Sequence, residues 1–345
     1  MTRVKVNKLE RRMNQDDYDN LNKLIHDNYT VETGETLKGE ILPYRTEVGI
    51  TLPEQKEDKV LIHLIRASYL EDINEDVGAF ESLAFLIRRW TEFSQISLRW
   101  DYPNESGHHA PEHYQAFLYR VSRFSECYPW FSVDDSSKRL LGKLLIMNEL
   151  ELFLDHPRYD ARKSFLSKPL DQLNSNDYEE YIWSHQRALN DLADTKEISR
   201  GLPLRVFIED KPENIYLFPK EYSMIDLWGL SNDSNILSIF KLHGLRTDSR
   251  LSIISELFFN SMVMRDAIRG LFIYPEQARK AYVGRGECIK IPKAKAINSY
   301  ILGVEIPGLI DNKLMKDLNE IESPDIPIKF GYISIDSKFN MKREI

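Results

Sequence analysis

An α+β fold is predicted for this chain from three observations. Leu251 to Ile268 is apolar on almost every side at three- and four-residue steps, which marks a buried helix. Short β-forming runs punctuated by Gly and Pro follow residue 200, and several amphipathic helical stretches precede it. The expected organisation is a mainly helical unit over 1–200, opened by a short β- and turn-rich segment, followed by a smaller α+β unit over 201–345. In the second unit a short sheet packs on the buried helix.

Taken in order, Thr2 to Arg12 alternates loosely and reads as an edge strand or an arm, and Asp16-Asp17 leads into a helix over Tyr18, Leu21, Leu24 and Ile25. Turns and short strands, Glu47 to Leu52 among them, are expected between Thr30 and Lys59. Leu61, Leu64, Ile65 and Ser68 fall at helical steps, as do Phe80, Leu83, Ala84, Ile87 and Trp90, so two helices are predicted there. Pro111 suits the first turn of a third, which Tyr128-Pro129 ends. Asp134 to Ser137 offers an N-cap to a fourth, carrying apolar residues to Leu150. Ser164 to Asn176 is polar and reads as a connection, and Tyr178 to Ile198 as one helix. Leu204 to Ile208 and Asn214 to Phe218 then form a predicted hairpin. Gly270 and Pro275 close the buried helix. After it come a strand over 299–306, a helix over 309–321 and a closing strand over 326–335.

Composition excludes several classes. The 345 residues are 42% hydrophobic and 29% charged, which suits a folded globular chain. No apolar run is long enough to span a bilayer, and the start lacks an apolar run of the secretory kind, so a cytoplasmic protein without a membrane partner is expected. Cys127 and Cys288 have no partner spacing that would build a thiolate zinc site. Phosphate-loop, dinucleotide, nucleophile-elbow and kinase motifs are missing.

Three constellations carry candidate chemistry. The first is a basic strip, Arg265, Arg269, Arg279, Lys280, Arg285, Lys290, Lys293 and Lys295 with Tyr282 interleaved, in a chain of formal charge -8. Cations beside a stackable ring suit a phosphate backbone and unpaired bases; a solvated loop is the bland alternative. The second is His109 and His113, four apart, which suit a transition metal if a further ligand joins them, although Pro111 interrupts helical geometry between them. In the third, Pro324-Asp325 is followed by Asp336-Ser337-Lys338.

That order and spacing resembles the PD-(D/E)xK nucleases. The resemblance implies that Asp325 and Asp336 hold magnesium while Lys338 faces the attacked phosphate or the water. It covers only the tail, and the chain given ends before the helix and strand that normally follow the motif strand. The expected function is a non-catalytic accessory or assembly subunit of bacterial style, with a protein partner, touching nucleic acid or an acidic partner through the basic strip. No cofactor is expected with it. The alternatives are a magnesium-dependent nuclease using Asp325, Asp336 and Lys338, and a pure protein-protein scaffold.

Overall fold

A computed structural model describes residues 8–37, 42, 48–53, 58–64, 79–101, 111–142, 150–154, 175–208, 224–243, 252–272, 293–304, 308–336 and 340–343. The fold is α+β, as the patterning predicts: two mixed sheets, of four and seven strands, held together through helices.

Helix α1 (Lys8–Thr33) begins inside the segment read as a strand or arm, and Tyr18, Leu21, Ile25 and Tyr29 form its buried stripe. The four-stranded sheet follows, with β1 (Val48–Thr51), β2 (Lys59–Leu64), β3 (Gln95–Trp100) and β4 (Phe131–Val133) in that spatial order. β1 is antiparallel to β2, and the other pairs are parallel. Parallel neighbours need a crossover, supplied by α2 (Phe80–Trp90) from β2 to β3 and by α3 (Pro111–Cys127) from β3 to β4. The helix expected around Leu61 is a strand instead. Val60, Ile62 and Leu64 are buried while Leu61 and His63 are half-buried, a period of two that serves a sheet. Asp134 caps α4 (Asp135–Leu141) by accepting the Ser136 N–H at 3.0 Å, but the helix stops at Gly142 rather than Leu150, where β5 (Leu150–Leu154) begins.

The stretch expected as one helix over 178–198 is three elements. Helices α5 (Ser175–Ser184) and α6 (Gln186–Ala193) part at His185, Asp194 takes a left-handed φ of 51°, and β6 (Thr195–Ile208) starts at once. The expected division near residue 200 therefore falls inside a continuous strand. β6 joins β7 (Met224–Ser231), β8 (Ile236–His243), β9 (Ala296–Gly303), β10 (Ile328–Ile335) and β11 (Met341–Arg343) in a sheet of order β11-β10-β9-β8-β7-β6-β5. β6, β8, β9 and β10 share one direction, and β7 between β6 and β8 runs against them.

The parallel steps again dictate crossovers. Helix α7 (Ser252–Ile268) links β8 to β9 and α8 (Asn312–Leu318) links β9 to β10, both packing toward α2. α6 covers the opposite face of the sheet over Leu227, Phe240, Tyr300 and Ile333. Lying between the sheet and α2 accounts for the all-round apolarity of α7: Ile254, Leu257, Phe258, Met262 and Val263 are fully buried, each contributing about 1.5–3 kcal/mol. Gly270, at φ +72°, ends the helix in the left-handed region, and the Leu271 N–H closes back on the Asp266 carbonyl at 2.9 Å.

Where α2 meets α7 the contact is reciprocal. The Ser82 N–H donates to Ser255 Oγ and the Ser255 N–H to Ser82 Oγ, both at 3.1 Å, with the two hydroxyls 2.8 Å apart. Each of the two crossover helices thus presents a serine to the other. Among the described residues, no helix is long and apolar enough to cross a membrane.

Candidate functional site

Three charges interrupt three apolar elements and converge. Asp226 is the one charge in β7, Lys241 the one cation in β8, and Glu256 the one charge in the first half of α7. Leu227 pairs with Phe240 in the antiparallel β7–β8 ladder, so Asp226 and Lys241 stand opposite one another one step further on. Lys241 Nζ lies 3.3 Å from Asp226 Oδ1 and 2.7 Å from Glu256 Oε2. Asp226 Oδ2 accepts the Leu242 N–H at 2.8 Å, which fixes the carboxylate against β8. One helical turn beyond Glu256, Asn260 donates through Nδ2 to the Met224 carbonyl at 3.3 Å. Asn260 Oδ1 is buried and has no hydrogen-bond partner among the described residues.

The electrostatics are those of a recessed yet reachable site. The side chains of Lys241, Asp226 and Glu256 keep 18%, 12% and 10% of their exposure. Burial alone would lower the lysine pKa, but the carboxylates of Asp226 and Glu256 outweigh it and hold Lys241 above its ordinary value. Two carboxylates thus bracket one ammonium in a place that keeps only part of its contact with solvent, where such charges are favourable only when paired. The position is the carboxyl end of β8 and the start of α7, the end of a parallel unit at which ligands bind.

Magnesium is commonly held by one or two carboxylates together with water and substrate phosphate oxygens. Asp226 and Glu256 are two carboxylates of the kind that hold such an ion, both within reach of Lys241. Among the described residues no group of three or more His, Cys, Asp or Glu side chains is placed to hold a metal, so a closed site of the zinc type is not formed there.

The residues singled out by sequence fall elsewhere. Arg265 is 1% exposed and points inward, so it does not serve a nucleic-acid surface: Asp266, fully buried, receives Arg265 Nε at 3.0 Å, Arg123 Nε at 2.7 Å and the Tyr119 hydroxyl at 2.8 Å. Burial, then the Asp266 charge, raises the Tyr119 hydroxyl well above its ordinary pKa. Burial likewise pushes the neighbouring Cys127 thiol up to about 11, against the opposing pull of Arg265. Arg269 is engaged with Glu126 at 3.7 Å and Asp325 at 3.0 Å. Lys293 and Lys295 are exposed, and Arg279, Lys280, Tyr282, Arg285 and Lys290 lie outside the described residues.

The two carboxylates of the nuclease resemblance in the tail do not come together. Asp325 precedes β10 and Asp336 follows it, and eight residues at about 3.3 Å each set their backbones roughly 26 Å apart, too far to share an ion. Asp336 instead accepts the Asn340 N–H at 2.9 Å, closing a turn. Lys338 and His109 lie outside the described residues, and of His113 only the backbone, in α3, is described.

Asp226, Lys241 and Glu256 were missed because the strands over 224–243 were not anticipated. The available signal was a charge set singly in MIDLWGLS and in ILSIFKLH, two β-forming runs separated by an Asn-Asp-Ser-Asn turn. Comparison with known protein families, with curated proteins and with solved structures gave no match.

Proposed function

We propose that the chain is a magnesium-dependent phosphodiesterase acting on nucleic acid, with Asp226, Glu256 and Lys241 as its working residues. The observation that carries this reading is the pair of partly buried carboxylates bracketing one lysine at the end of β8 and the start of α7. A carboxylate on one strand and a lysine on the next, followed by a helix and a strand, is the order of the PD-(D/E)xK pattern. The acidic residue normally two places before the lysine is Ile239 here. Glu256 enters from the helix and supplies a second carboxylate to the same lysine.

Asp226 and Glu256 would hold the ion, with Asn260 Oδ1 as an additional oxygen. When bound, magnesium lowers the pKa of a coordinated water and screens phosphate charge. Lys241, held protonated by its two carboxylates, would donate to a nonbridging phosphate oxygen as negative charge grows there. Attack of water on phosphorus would form the new P–O bond as the ester P–O bond breaks, the proton of the attacking water passing to solvent and the departing alkoxide taking one from solvent. Lys293 and Lys295 are exposed but lie at the amino end of β9, where the Lys295 N–H donates to the Asn235 carbonyl at 2.7 Å, the opposite end of the sheet from Lys241, and are no part of this site.

The test is incubation of the purified chain with labelled single- and double-stranded DNA and with RNA, with magnesium or with a chelator. Metal-dependent cleavage is expected, falling about 10²–10³-fold in Asp226→Asn, in which a transition-state contact is lost. Salt-sensitive binding without cleavage of any substrate would overturn the reading in favour of an accessory subunit. Neither binding nor cleavage would favour a protein scaffold.

A further inference from the structure

A second concavity lies at the far edge of the seven-stranded sheet, away from Asp226 and separate from the reading above. It is a cleft of about 510 Å³ formed by β10, α8, Tyr300 of β9 and Arg343 of β11. β11 pairs with β10 only from Ile333 to Ile335, so the cleft runs along the stretch of β10 that β11 leaves uncovered. Asn319 takes up the Phe330 backbone on that stretch, its Oδ1 accepting the N–H at 2.7 Å and its Nδ2 donating to the carbonyl at 2.8 Å. The amide closes the strand edge to a further strand and leaves the cleft to a small molecule.

The lining selects a chemistry. Lys316, Lys329 and Arg343 contribute cations, and among the described residues none that lines the cleft is a carboxylate, although the chain as a whole carries a formal charge of -8. Ile321, Ile328 and Phe330 give apolar walls, and the Tyr300 ring, opposite Gly331 in the β9–β10 ladder, lies under the Arg343 guanidinium at 5.1 Å. The Tyr300 hydroxyl is buried and has no hydrogen-bond partner among the described residues. A buried donor without an acceptor is unusual in a folded protein, and its position at the floor of a cationic cleft points to an acceptor that arrives with a ligand.

We infer that this cleft binds an organic anion of nucleoside monophosphate type, with its base against the wall that Ile321 and Pro327 present and its phosphate among Lys316, Lys329 and Arg343. The inference does not depend on phosphodiester cleavage, and its test is run with a chelator so that the Asp226 site plays no part.

Calorimetric titration with adenosine monophosphate, adenosine and inorganic phosphate is the experiment. Saturable binding of the monophosphate is expected, tighter than either fragment by about tenfold or more, because the two recognised parts are joined in one molecule. Lys329→Glu with Arg343→Glu, both at exposed positions, should lower that affinity by about tenfold or more while the melting temperature is kept. Tyr300→Phe should weaken binding several-fold without lowering the melting temperature, since its hydroxyl has no internal bond to lose. Absence of saturable binding by the monophosphate would overturn the inference. So would equal affinity for inorganic phosphate, or affinity indifferent to the charge reversals.

Discussion

The two ends of α7 carry buried charge in different ways. At the Arg265 end, Arg265 and Arg123 face Asp266 and Glu126, charges balance, and the partners come from α3 and α7, which belong to different halves of the chain. At the Glu256 end two carboxylates bracket Lys241, some exposure remains, and Asn260 Oδ1 has no hydrogen-bond partner among the described residues. A closed, balanced cluster fastens one layer to another. A partly exposed cluster with an open acceptor has room for something the chain does not supply. The same helix therefore joins a structural cluster to a candidate site, and perturbing each end should give opposite results.

The largest effect on stability is expected at the balanced end. Asp266→Ala leaves two guanidinium groups and the Tyr119 hydroxyl without their common acceptor in a buried place, and should destabilise the chain by about 3–5 kcal/mol. Chemical denaturation checks this, and a loss below about 1 kcal/mol would mean that the cluster does not act as a fastener. At the other end, Glu256→Gln leaves one carboxylate for one ammonium and should change stability by no more than about 1 kcal/mol. The contrast sharpens with magnesium. The ion should raise the melting temperature of the unaltered chain by mass action on the folded state, and Glu256→Gln should remove that rise. A magnesium response that survives the substitution would separate Glu256 from the ion.

Alkaline pH offers a smaller and more graded test of the balanced end. The Cys127 thiol moves from its ordinary 9.0 to about 11 on folding. A pKa raised in the folded state contributes stability that is fully present below the unfolded value and is lost as pH rises through the folded one. Stability should therefore fall between about pH 9 and 11, with Cys127 accounting for about 2–3 kcal/mol at most. Denaturation curves across that window should be flatter for Cys127→Ala. An unchanged slope would assign the fall to Tyr119 and Tyr128, whose hydroxyls burial also raises.

The fold was legible where one local pattern dominated. The all-round apolarity of α7, the glycine at its end and the Asp134 cap each act within a few residues, and each is realised. It was illegible where two periods competed, as in 59–64, where Leu61 and Leu64 suit a helix and Val60, Ile62 and Leu64 suit a strand. Pairing with β1 on one side and β3 on the other settles that competition, and such partners are not local. The candidate site belongs to the same category. Asp226, Lys241 and Glu256 are far apart in sequence, and only the β7–β8 register and the following crossover bring them together. Within the basic strip, Arg265 was assigned to the surface by its charge, whereas a fully buried carboxylate next to it in sequence draws it inside.

The exchange of backbone and hydroxyl bonds between Ser82 and Ser255 has the form of a contact between two identical copies, each offering the other the same groups. Here the copies are replaced by two segments of one polypeptide. Association across that seam carries no concentration term, so dilution cannot part the halves as it would part a dimer.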